Sequence, residues 1–94
     1  MRTRLGPTTR FAVAASVASR EIEGQVLLMT GDDDGLLTLN ATAQFIWARI
    51  ALRRDLQTIV RAFARHFRVS AAVATRDVTA FLALLERRRI ITRA

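Results

Sequence analysis

Cysteine is absent from the 94 residues, so disulfides and thiolate metal sites are excluded. Histidine occurs once, as His66. A zinc site would need carboxylates for all its other ligands, which zinc sites rarely use. A Ser-His-Asp scheme would have to use that one imidazole. Lysine is also missing; all fifteen basic residues are arginine. No apolar run approaches the roughly 18–20 residues of a membrane span. No paired carboxylates, phosphate loop or nucleophile–base pair can be read. The expectation is a chain that is not an enzyme and holds no metal or cofactor.

What is present describes one globular domain over residues 1–94. Half the residues are hydrophobic and 24% are charged. A domain this short favours a surface groove over a deep cavity. Charge is divided unevenly. Residues 1–47 carry four Arg against five acids, and residues 48–94 carry eleven Arg against three acids. A basic C-terminal half suits an anionic partner or a solvated helix face. Arg2, Arg4 and Arg10 before Phe11–Ser19 have the look of a short secretory signal, but Pro7 and Arg10 crowd it. The segment is read as structure, and the chain as cytoplasmic.

Residues 1–10 read as a flexible arm with Gly6-Pro7 as a breaker. Phe11, Val13, Ala15 and Val17 alternate, which predicts a half-buried strand. Glu23-Gly24 is a turn. Val26–Met29 and Leu36–Leu39 are a second and third strand, joined as a hairpin through Gly31-Asp32-Asp33-Asp34-Gly35. The three aspartates lack the spacing and closing Glu of a calcium loop.

Helices follow, capped by Asn40, Asp55 and Ser70. The first carries Phe45, Ile46, Trp47 and Ile50, with Trp47 in the core. The second buries Leu56, Ile59, Val60, Phe63 and Phe67, and turns Arg61, Arg65 and Arg68 outward. The third, over 71–88, has a core stripe of Val78, Phe81, Leu82 and Leu85. Ile90-Ile91 ends the domain. The fold class is α+β: a three-stranded antiparallel sheet followed by three helices, like a winged helix-turn-helix.

Several segments resemble the PqqD-like family. Arg20-Glu21-Ile22-Glu23-Gly24-Gln25-Val26-Leu27-Leu28 is similar to its first hairpin. Leu39-Asn40-Ala41-Thr42-Ala43-Gln44-Phe45-Ile46-Trp47 resembles its "LN-x-T-A-x-x-I-W" lead into the first helix. Leu56–Val60 with His66–Val69 resembles its second helix. Arg76-Asp77-Val78-Thr79-Ala80-Phe81-Leu82-Ala83-Leu84-Leu85 resembles its "D-V-x-x-F-L-x-x-L" third helix. The likeness runs from about Phe11 to Ile91. Leu36, Leu37 and Thr38 stand where family members often carry aromatics, and Leu52-Arg53-Arg54-Asp55 replaces a common glycine.

The resemblance implies a RiPP recognition element. Such a domain binds the leader of a ribosomally made precursor peptide and presents it to a maturation protease or tailoring enzyme. The asparagine in the lead-in looks like the stand-alone peptide chaperones of lasso peptide pathways.

Edge-strand chemistry points the same way. An open strand edge offers backbone donors and acceptors to an extended guest. Leu36, Leu37, Thr38 and Leu39 are expected to form that edge. Val73, Arg76, Asp77, Ala80 and Leu84, beside the core stripe of the third helix, are expected to form the second wall. A proline at Leu37 should weaken binding if its N–H faces the guest. The alternatives are a winged-helix DNA binder and a homodimer through the exposed edge. DNA binding is disfavoured because Ala71–Thr75 opens the third helix where base-reading residues would stand.

Overall fold

The structure is a computed structural model that describes residues 5–30 and 35–94. The strands in chain order are β1 (Phe11–Val13), β2 (Ala18–Ile22), β3 (Gln25–Met29), β4 (Leu36–Leu39) and β5 (Ile91–Arg93). The helices are α1 (Ala41–Ala51), α2 (Leu56–Phe67) and α3 (Ala71–Arg87), all placed between β4 and β5.

Each helix starts at its expected cap. Asn40 Oδ1 accepts from the Ala43 N–H at 2.9 Å, Asp55 Oδ1 from the Thr58 N–H at 2.9 Å, and Ser70 Oγ from the Val73 N–H at 3.1 Å. These bonds satisfy donors that a helix start leaves open. At α2 the backbone does the rest. The Leu56 N–H donates to the Thr9 carbonyl and the Gln57 N–H to the Pro7 carbonyl, both at 2.8 Å. The described part of the expected arm thus lies on the start of α2, with Leu5 packed against the core. Residues 1–4 lie outside the described residues.

The strand expected over Phe11–Val17 is corrected. Only Phe11–Val13 is a strand, and it pairs antiparallel with β5, Phe11 opposite Arg93 and Val13 opposite Ile91. A Val17 N–H to Ala14 carbonyl bond then turns the chain. The alternation of apolar residues records Phe11 entering the core, where it is buried, and not membership of the larger sheet. The first strand of that sheet is β2, whose five residues are all exposed. A strand with no buried face leaves no period-two signal. The sheet itself is three-stranded and antiparallel in the order β2-β3-β4.

The hydrogen-bond phase of this sheet decides what its edges offer. Glu23 and Gly24 have φ of 52° and 80°, so β2 and β3 join through a two-residue turn with positive φ at both positions. Ile22 therefore exchanges backbone bonds with Gln25, and alternate pairs follow. Leu27 and Met29 also face β2. Val26 and Leu28 face β4. The Thr30 N–H to Gly35 carbonyl bond at 2.9 Å agrees with that phase. On β4, Leu37 and Leu39 are then bonded to β3, while the N–H and C=O of Leu36 and Thr38 point away from it. The loop over residues 31–34 lies outside the described residues.

Side chains follow the same alternation. Leu28 and Leu39 are buried against the helices, with Val26 and Leu37 beside them. Leu36, 60% exposed, points to the opposite face. The core joins these residues to Ile46, Trp47, Ile50, Ile59, Phe63, Val78, Leu82 and Leu85. Trp47 is buried, as expected. Phe81 is not in the buried stripe of α3: Ala74, Val78, Leu82 and Leu85 are, and Phe81 is half-buried. The stripe is narrower than expected because α3 packs on α2 and β5 and leaves the Phe81 side uncovered.

Candidate peptide-binding cleft

The uncovered side of α3 faces β4 across a cleft of about 280 Å³. Leu37, Thr38 and Leu39 form one wall. Asp77, Phe81 and Leu84 form the other. Ala43 and Ile46 of α1 and Phe63 of α2 make the floor, and Asn40 and Thr42 stand at the rim. The lining is mostly apolar. A volume at the low end of ligand pockets suits one or two side chains of a guest.

The polar groups gather at one end. Thr42 Oγ1 donates to Asn40 Oδ1 at 3.0 Å, and Gln44 Nε2 donates to the Leu39 carbonyl at 3.0 Å. Together with the cap at Ala43 they hold the β4–α1 junction in place. Asp77 pairs with Arg76 at 3.3 Å, but both side chains are solvated, so the pair constrains little.

The expected site residues divide by position. Leu37, Thr38, Leu39, Asp77 and Leu84 line the cleft. Leu36 contributes its outward backbone, while its side chain lies on the far face of the sheet. Val73, Arg76 and Ala80 are outside the lining: Arg76 and Ala80 stand further round α3, and Val73 lies on the same face one turn before Asp77. Phe63 and Ile46, with Ala43, form the floor, and Phe81 completes the α3 wall; the sequence does not mark any of the four as site residues. Their sequence signal is that of core residues, because the floor of the cleft is the outer surface of the core. The proline test also moves. The Leu37 N–H belongs to the ladder with β3, and Thr38 carries the donor that faces the cleft side.

The arrangement has an open backbone row, an apolar trough beside it and a helix as its far wall. A profile of known families places residues 24–91 with "Coenzyme PQQ synthesis protein D (PqqD)". The chain belongs to the PqqD family. Two solved structures share the PqqD fold seen here. One is "TbiB1 in Complex with the TbiA(beta) Leader Peptide", at TM-score 0.78 and 23% identity, covering 84% of this chain and 92% of that one. The other is "Lasso peptide synthetase B1 complexed with the leader peptide", at TM-score 0.81 and 18% identity, covering 88% of this chain and 98% of that one. At such identities the likeness is one of fold. No curated protein sequence matches the chain. Among the described residues no helix is long and apolar enough to cross a membrane.

Proposed function

We propose that this PqqD-family chain binds the leader segment of a ribosomally synthesised precursor peptide. The leader adds as a strand to β4 and inserts apolar side chains between β4 and α3. The chain then presents the peptide to a maturation protease or modifying enzyme, as a non-catalytic cytoplasmic adaptor that raises local substrate concentration. The observation that carries the reading is the outward backbone of Leu36 and Thr38 beside the apolar cleft. Family membership supports it. So do the two neighbours, each solved with a leader peptide, which favour the lasso branch.

Magnitudes require both parts of the site. Each backbone hydrogen bond contributes about 0.5–1.5 kcal/mol net. Micromolar affinity needs about 8 kcal/mol. Two or three strand bonds fall short, so an anchor in the cleft must supply the rest, at roughly 25 cal/mol per Å² of apolar area buried.

The test is calorimetry of the full chain against the N-terminal segment of a short peptide encoded beside it. Saturable binding that Thr38→Pro weakens about 10–100-fold supports the reading. Binding untouched by Thr38→Pro and by Leu84→Arg contradicts it.

A further inference from the structure

Beside the cleft stands an arginine that the strand-addition reading does not use. Thr42 and Ile46 line the cleft from α1. Arg49 follows them at the i+7 and i+3 positions, on the same side of the helix. Its side chain folds back toward the start of α1, and its guanidinium carbon lies 3.5 Å from the centre of the Phe45 ring. His66 stacks on Phe45, with ring centres 4.6 Å apart and planes at 28°. Phe45 in turn meets Phe63 edge-on at 6.1 Å. Phe63 is in the cleft floor, so the Arg49–Phe45–His66 group is joined to the trough through Phe63, one turn of α1 beyond the lining residue Ile46.

Arg49 is poised for an anion. It is half-buried. Among the described residues its guanidinium makes one hydrogen bond, a weak one from Nη1 to the Phe45 carbonyl at 3.3 Å. Among the described residues the ion pairs are Arg76–Asp77 and Arg93–Glu86, and no carboxylate lies within 4.0 Å of Arg49. A guanidinium carries five donors in a rigid fork that matches a carboxylate. Here the ring already holds the fork in place, so ordering it costs little. Partial burial makes such a pair stronger than one on an open surface. α1 contributes no acidic side chain of its own.

We propose that Arg49 selects guests with an acidic side chain next to the segment anchored in the cleft. This deepens the strand-addition reading and rests on it. The Asp or Glu would take two N–H bonds from the outer edge of the Arg49 guanidinium, whose face rests on Phe45. The guest class is thus an extended peptide that pairs an apolar anchor with a carboxylate at one fixed spacing.

The probe is a randomised 16-residue peptide library, fused at its C-terminal end so that no free carboxyl terminus is presented. It is selected on the full chain, on Arg49→Met and on Thr38→Pro. Arg49→Met keeps an aliphatic cover on Phe45; a melting curve checks its fold, and Arg49→Gln replaces it if the curve shifts. The expected result is a common apolar anchor with Asp or Glu enriched at one position on the wild type. The variant at Arg49 should keep the anchor and lose the acid, and Thr38→Pro should select neither. For one selected peptide, Glu→Gln should weaken binding about tenfold on the wild type and not on the Arg49 variant. If the wild type selects the anchor without an acid, or the Arg49 variant keeps the acid, the proposal is overturned and strand addition stands. If no common anchor emerges on the wild type, strand addition fails and the proposal falls with it.

Discussion

The two edges of the three-stranded sheet are built from the same backbone, yet they offer a guest different terms. β2 and β4 each turn alternate N–H and C=O groups outward. On β2 these belong to Ser19 and Glu21; on β4 they belong to Leu36 and Thr38. β2 is exposed along its whole length and carries Arg20 and Glu21. Pairing β2 with a second β2 about its centre sets Arg20 against Arg20, and shifting one residue along sets Glu21 against Glu21. Like charges opposite each other disfavour both registers. β4 reads Leu-Leu-Thr-Leu, has no charge, and faces a trough walled by α3. A free edge alone is thus not a binding site. A free, uncharged edge with an apolar wall beside it is what the proposed strand addition needs.

The largest expected effect separates the edges directly. Thr38→Pro removes the donor facing the cleft side and should cut guest affinity by about 10–100-fold, allowing for a lost bond and a ring in the path of the guest. Glu21→Pro on the other edge should leave affinity within about twofold. Calorimetry of both variants checks this.

Next comes the wall. Phe81→Ala enlarges the cleft and removes apolar contact, and should weaken binding about tenfold, roughly the loss of half a buried aromatic. The cost to folding should stay near 1–2 kcal/mol because Phe81 is only half-buried. Leu82→Ala, one residue on and fully buried, should instead cost about 2–5 kcal/mol of stability. Ala80→Arg should change affinity little, since Ala80 lies outside the lining. Denaturant unfolding and calorimetry distinguish the three.

A smaller effect should appear when the charges of β2 are removed. Arg20→Thr with Glu21→Val deletes the like-charge clash and should produce weak, concentration-dependent dimers by light scattering. The smallest concerns neither edge. The side-chain and backbone bonds from Thr58, aided by Arg10 and Arg61, hold the Asp55 carboxyl below its ordinary value of 3.8. A depressed folded-state value adds stability above pH 3.8, and that gain is lost as the pH falls through the lower folded value. Asp55→Ala should therefore be less stable than the wild type at pH 7, with the gap closing below about pH 4. Thermal melts across that range check it.

The helices were legible because their signals are local. Asn40, Asp55 and Ser70 each cap the helix expected of them, and apolar spacing on α2 and α3 found most of the core. The strands were less legible. β1 pairs with β5 from the other end of the chain, and no local pattern encodes such a partner. β2 buries nothing, so its residues carry no periodic mark. The cleft was half legible for a related reason. Leu37, Thr38, Leu39, Asp77 and Leu84 could be read as an edge and a helix face. Phe63, Ile46 and Ala43 have the spacing of core residues, and only the gap between β4 and α3 turns their outer side into a floor. Arg49 gave no sequence signal among fifteen arginines; its place over Phe45 is what marks it.

Backbone amide exchange, read residue by residue with and without a saturating leader peptide, tests strand addition to β4 most directly. The amides of Leu36 and Thr38 should exchange quickly in the free chain and become protected on binding, while those of Ser19 and Glu21 stay unprotected. Protection gained at Ser19 and Glu21, or none gained at Leu36 and Thr38, would contradict the account.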